Sequence, residues 1–151
     1  MELLVCVKQV PDDSVAVTLD ANGAPKVAEI TPVVNAFDTY ALEMAARFKE
    51  ANGGSVTVLS VGGEEVVPSL RSCLAVGADH ASRLSGTAPS DCGGIAYLLA
   101  QAAGKAGEQP FDIIFCGSES TDSADNQVGA RLSEALGLPL VANVLALEPK
   151  D

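Results

Sequence analysis

Apolar runs of strand length alternating with amphipathic helical stretches predict an α/β protein, a three-layer sandwich whose mostly parallel sheet is covered by helices on both faces. Three observations carry this reading. Runs such as Leu3-Leu4-Val5-Cys6-Val7, Val56-Thr57-Val58-Leu59-Ser60-Val61 and Phe111-Asp112-Ile113-Ile114-Phe115-Cys116 are nearly continuous in apolar residues, as strands buried on both faces are. The segments between them place apolar residues three and four apart, which lines one face of a helix. The two kinds of segment alternate along the chain, and that order calls for parallel strands joined by right-handed crossovers.

The first strand, 3–7, ends at Lys8-Gln9-Val10-Pro11-Asp12-Asp13, where Pro and Asp make a turn. Two short runs, 15–19 and 26–30, flank Asp20-Ala21-Asn22-Gly23, a turn signal that predicts a peripheral β-hairpin. Phe37, Tyr40, Ala41, Met44, Ala45 and Phe48 then recur at helical spacing, with Asn35 or Asp38 to cap the helix and Asn52-Gly53-Gly54 to stop it. The second strand, 56–61, ends in Gly62-Gly63. A helix over 64–76 puts Val67, Leu70, Cys73 and Leu74 on one face, and Pro68 falls in its first turn, where the missing N–H does no harm.

Gly77-Ala78-Asp79-His80 leads to a short strand over 81–84. Ser90 or Asp91 can cap a helix running to about Lys105, with Ile95, Leu98, Leu99 and Ala102 inward. The strand 111–116 is broken by Gly117, and the polar loop 118–126 opens a helix over 127–136 that stops at Gly137, with Pro139 beyond. A final strand is expected over 140–147. One domain over 1–151 accounts for the whole, with no linker or repeat.

Nine basic against 20 acidic residues give a formal charge of −11, which disfavours binding to nucleic acid or anionic membranes. Aromatic residues are 4% of the chain and Trp is absent, so base-stacking platforms have little to stand on. Every apolar run stops well short of the roughly 20 residues a membrane span needs. Met1-Glu2-Leu3 carries no basic region ahead of its apolar run, so no signal peptide is read and the cytoplasm is the expected compartment. Cys6, Cys73, Cys92 and Cys116 form no C-x-x-C pair; reduced thiols are expected, with no metal site.

In such a sheet, ligands bind beyond the carboxyl ends of the strands, near the point where strand order reverses. Three loops therefore matter: 8–13, 61–63 and 117–129. The last combines Gly117, several hydroxyls and a helix amino terminus, so free N–H groups and the helix dipole can hold a phosphate. Glu119, Asp122 and Asp125 would repel an anion unless they turn away or serve a ribose hydroxyl, and a plain capped turn explains the same residues equally well. Neither G-x-G-x-x-G nor G-x-x-x-x-G-K-[ST] is present. No catalytic residue is assigned: His80, the single histidine, has no Ser or Cys nucleophile beside it. Lys8 points at the ligand edge or pairs with Asp12 or Asp13.

Four motifs in order, Val5-Cys6-Val7-Lys8-Gln9-Val10-Pro11-Asp12, Asn35-Ala36-Phe37-Asp38-Thr39-Tyr40-Ala41-Leu42-Glu43, Leu74-Ala75-Val76-Gly77-Ala78-Asp79, and Gly117-Ser118-Glu119-Ser120-Thr121-Asp122 with Asn126-Gln127-Val128-Gly129, resemble the beta subunit of electron transfer flavoproteins. The resemblance implies an adenine-nucleotide alpha-hydrolase-like, Rossmann-like fold. It also implies a heterodimer in which an alpha subunit carries the redox FAD and the beta subunit holds AMP or, in electron-bifurcating members, a second FAD. Electrons would come from acyl-CoA or related dehydrogenases. By position, the nucleotide site would use the Cys6 backbone, Asn35 and Val61, with Asp122, Asn126, Gln127, Val128 and Gly129 around ribose and phosphate. Ala36 stands where the family commonly has Pro, and Ser90-Asp91-Cys92-Gly93-Gly94 departs from the bifurcating pattern. Family members continue past this point, so the partner-docking segment is expected to be missing from 1–151. The competing expectation is a stand-alone nucleotide-binding module similar to universal stress proteins.

Overall fold

The computed structural model describes residues 1–89, 91–107 and 109–148. In chain order its elements are β1 (Glu2–Cys6), β2 (Gln9–Pro11), β3 (Pro32–Val34), α1 (Ala36–Asn52), β4 (Ser55–Val61), α2 (Val67–Val76), β5 (His80–Leu84), α3 (Cys92–Ala106), β6 (Ile113–Cys116) and α4 (Val128–Leu136). A short 3₁₀ turn, Glu64–Val66, leads into α2. Four strands make one parallel sheet in the order β5-β4-β1-β6, with Leu4 beside Thr57 on one side and Ile114 on the other.

Alternation along β1 divides the core. Leu3, Val5 and Val7 face α1 and α2, where Ala41, Leu42, Ala45, Phe48, Leu70 and Cys73 close the layer. Leu4 and Cys6 face the opposite way, against Ala96, Leu99, Ala103 and Leu132 of α3 and α4. Period-two alternation in the strand and 3.6-residue periodicity in the helices thus meet on both faces of one sheet. Leu3, Leu4 and Val5 are fully buried, and each contributes about 1.5–3 kcal/mol by leaving water.

The structure differs from the sequence reading in four places. The runs 15–19 and 26–30 do not pair as strands: they share a single bridge, Leu19 with Pro25, and Val27–Glu29 is a 3₁₀ turn. Val15, Val17 and Leu19 stay exposed, because no core surface lies beneath them to reward a register. The antiparallel pair is instead β2 with β3, at the base of that excursion. The turn at Asp20 does form, its carboxylate accepting from the Asn22 and Ala24 amides at 2.8 and 2.9 Å. No strand forms over 140–147; Val141 and Leu145 are exposed, and Asn143 at φ 56° interrupts extended backbone.

Tyr40 and Leu74, expected inward, are outward; Tyr40 lies edge-on against Phe37, ring centroids 6.4 Å apart. The caps also differ. Asp91 accepts from the Gly94 amide at 2.8 Å and caps α3, whereas the alternative cap, Ser90, lies outside the described residues. Asn35 precedes α1 without capping it through its side chain, and Asp38 is buried in the core side of the helix.

Candidate functional site

Strand order reverses between β1 and β6: the chain steps from β1 to β4 to β5, then crosses back to lay β6 on the other side of β1. At that reversal the helices diverge to opposite faces and leave a crevice. A cavity of about 420 Å³ opens there, within the range of small-molecule sites. Its walls come from the loops after β1, β4 and β6 and from the starts of α3 and α4. His80 begins β5 and so lies at the opposite edge of the sheet.

Three side chains join the loop after β1 to the loop after β6. Asp38 accepts the Lys8 amide at 2.7 Å and the Gly117 amide at 3.2 Å. Gly117 allows this approach, since a Cβ there would stand 2.3 Å from Asp38 Oδ1 and 2.8 Å from the Phe37 carbonyl carbon. Asn35 donates through Nδ2 to the Glu119 carbonyl at 2.8 Å and accepts the Thr121 amide at 3.1 Å, while its own N–H meets the Lys8 carbonyl at 2.9 Å. Lys8 Nζ donates to Asp122 at 2.6 Å and to Ser120 Oγ at 3.1 Å. Its partner is thus Asp122 rather than Asp12 or Asp13.

Burial pushes the Asp38 carboxyl up to about 6, although the Lys8 amide, Asn35, the Gly117 amide and the Lys8 charge all favour the ionised form. For Asp122 partial burial works against ionisation, but the hydrogen bonds from Lys8 and Ser120 and the Lys8 charge outweigh it and hold its carboxyl below the usual range. Cys6 and Cys116 are register partners across β1 and β6. The hydrogen bond with Cys116, and burial, raise the Cys6 thiol well above its ordinary value, so it is a neutral group at the floor of the cavity. All four cysteines are free.

Ala124 and Asn126 hold positive φ of 51° just before α4, a left-handed backbone that Asn adopts readily and Ala rarely. The loop delivers Gln127 and Val128 to the cavity wall at the amino end of α4, where the first helical N–H groups have no partner within the helix. Of the residues expected at the site, Cys6, Asn35, Val61, Asn126, Gln127 and Val128 line one cavity. Asp122 stands beside it, held by Lys8, and Gly129 packs toward Cys116, where a Cβ would be 3.5 Å from the Cys116 Cβ.

Gly62 also lines the cavity; its lack of a side chain lets Val66 pack within 2.6 Å of where a Cβ would be. Asp38 escaped the sequence reading because the N-x-x-D spacing at a helix start reads as capping. Lys8 is the one base among the lining residues described, against Asp38, Glu65, Asp91, Glu119 and Asp125. Among the described residues, no group of three or more His, Cys, Asp or Glu is placed to hold a metal ion. None of the described helices is long and apolar enough to cross a membrane.

Comparison with known proteins adds a family to this geometry. The model of the electron transfer flavoprotein domain matches residues 15–151. The electron transfer flavoprotein subunit beta of Thermoanaerobacterium thermosaccharolyticum is 39% identical over 155 residues, covering 98% of this chain and 56% of the relative. That of Megasphaera elsdenii is 40% identical, covering 93% and 55%. The acryloyl-CoA reductase electron transfer subunit gamma of Anaerotignum propionicum is 34% identical, covering 93% and 54%. The chain spans about half the length of the curated relatives it matches. With the parallel sheet, the cavity at its strand reversal and these matches together, the chain belongs to the electron transfer flavoprotein family.

Proposed function

We propose that this chain is the nucleotide-holding part of an electron-transfer subunit. It binds an adenine nucleotide, AMP or a second FAD, and pairs with an FAD-bearing alpha subunit that takes electrons from acyl-CoA or related dehydrogenases. One observation carries the reading: six of the residues expected from the family's nucleotide site line a single cavity at the strand reversal. The fit is chemical as well as spatial. The amino end of α4 offers N–H groups to a phosphate, and the neutral Cys6 and Val61 leave an apolar wall for a base. Asn126, Gln127 and Val128 would hold the phosphate and ribose, with Asp122 and Gly129 beside them, while the Cys6 backbone, Asn35 and Val61 would border the adenine side.

A bound FAD would supply electron storage in its isoalloxazine ring; bound AMP would supply none. This chain's own residues orient the nucleotide, and none is required as an acid, base or nucleophile. Heat release of nucleotide from the complex purified with its alpha partner tests the proposal. AMP, or FAD in excess of one per heterodimer, supports it and tells the two nucleotides apart. A complex that releases no adenine nucleotide beyond a single FAD overturns it.

A further inference from the structure

Among the described residues, Asp38 is the one charged side chain buried in the core. It sits on the inward face of α1, beside Ala41 and Leu42 of the same helix, where an apolar residue would serve stability better. Its partners explain its presence. Each of its oxygens takes one backbone N–H: Oδ2 that of Lys8, just past β1, and Oδ1 that of Gly117, the residue immediately after β6. Those two strands are the pair between which the sheet order reverses. Gly117 has no Cβ to keep the carboxylate away.

Resting on the nucleotide reading above, we propose that Asp38 is a positioning residue for that site: its ionised carboxylate bridges the Lys8 and Gly117 amides, fixes the separation of the two loops flanking the cavity, and so makes nucleotide affinity depend on its own protonation. A carboxylate accepts both N–H groups at once. Protonation puts a donor on one oxygen and removes the negative charge, so both N–H bonds weaken and the one at the protonated oxygen weakens most. The groups that face Asp38 are Lys8 from the loop after β1, the Asn35 side chain ahead of α1, Cys6 from β1 and Cys73 from α2, with the Gly117 amide from the loop after β6; of these only Lys8, Cys6 and Cys73 are titratable. Burial, first, raises the Cys73 thiol to about 11, and Cys6 is raised as well. Neither thiol therefore changes charge in the range where Asp38 does.

Two measurements on the full chain test this. In the first, the Lys8 and Gly117 amide resonances of the nucleotide-free wild type are followed by NMR from pH 4.5 to 8. Both are expected to titrate together with a midpoint of about 6, and both titrations are expected to vanish in Asp38→Asn. In the second, AMP affinity is compared between wild type and Asp38→Asn at each pH, so that titration of the AMP phosphate cancels in the ratio. Asp38→Asn keeps one acceptor and turns an NH₂ toward the other amide, and it is expected to bind AMP about tenfold more weakly at pH 8. The ratio is expected to narrow to within about twofold at pH 5, where wild-type Asp38 is itself protonated. Amides that do not titrate, or equal AMP affinity at pH 8, overturn the proposal. Wild type that binds neither AMP nor FAD at any pH overturns the nucleotide reading instead, and the amide titration still decides whether Asp38 clamps the loops.

Discussion

Lys8 Nζ stands 2.6 Å from Asp122 Oδ1, tying together two loops that lie 114 residues apart in the chain. Both side chains are substantially exposed, at 48% and 33%. An ion pair this wet contributes about 0–1 kcal/mol to stability. Its placement beside the cavity therefore concerns the ligand more than the fold.

The double variant Asp122→Ala with Asn126→Ala is accordingly expected to leave the melting temperature within a few degrees of wild type. Nucleotide retention is expected to fall. Nucleotide content after gel filtration checks it, and unchanged content would remove these residues from the site.

The buried carboxylate gives stability an unusual pH dependence. Asp38 titrates at about 6 in the folded chain against 3.8 ordinarily, so between those values the native state holds a proton that the unfolded state has released. Its contribution is full below pH 4 and is lost as pH rises through 6, a change on the order of 3 kcal/mol. Asp12, Asp20, Asp79 and Asp122, whose carboxyls are held low, act with the opposite sign at more acid pH. Urea unfolding of wild type minus Asp38→Asn isolates the effect: the wild type is expected to lose ground relative to the variant between pH 4.5 and 7.5. A parallel pair of stability curves would contradict it.

Gly117→Ala is expected to be costly for a local reason. The new methyl would lie 2.3 Å from Asp38 Oδ1 and 2.8 Å from backbone of Phe37, so α1 or the loop must shift, at about 1–3 kcal/mol. Thermal unfolding measures the loss. Crystal or NMR comparison would show the Asp38 bridge opened; an unchanged bridge would refute the steric argument.

Leu42, 2% exposed between α1 and the sheet, provides the contrast with the carboxyl-terminal stretch. Leu42→Ala is expected to cost about 2–5 kcal/mol. Leu145, 96% exposed, is expected to change stability by no more than about 0.5 kcal/mol when replaced by Ala. Denaturant midpoints of the two variants check both.

Three strands of the sheet, β1, β4 and β6, were legible in the sequence because they are nearly continuous apolar runs, and such runs declare themselves without reference to partners. The β2/β3 pair was hidden: its strands are three residues each, and both contain proline, Pro11 and Pro32, which argues against a strand from sequence. The stretch 140–147 carries strand composition, yet composition supplies no neighbour to pair with. At the candidate site, Val61 and the start of α4 were legible from their places at the end of a strand and before a helix, whereas Cys6 came from the family resemblance alone. Asp38 was not, because its burial is decided by the Gly117 amide, 79 residues away. Likewise the polar atoms of Asn35 looked available for a ligand, and the fold spends them on Glu119 and Thr121.

The sheet order has a consequence for how the chain assembles. β1 is made first and ends up inside the sheet, so one side of its ladder stays open until β6 emerges, with Glu2 meeting Asp112 only 110 residues later. Early pairing of β1 with β4 can bury Leu3 and Val58, but the ties from Asp38, Asn35 and Lys8 to the 117–122 loop wait for β6. Contacts of such long separation form slowly. The cavity is thus a late product of folding, and any ligand that needs it recognises only the finished sheet, adding its binding energy to that state and to none that precede it.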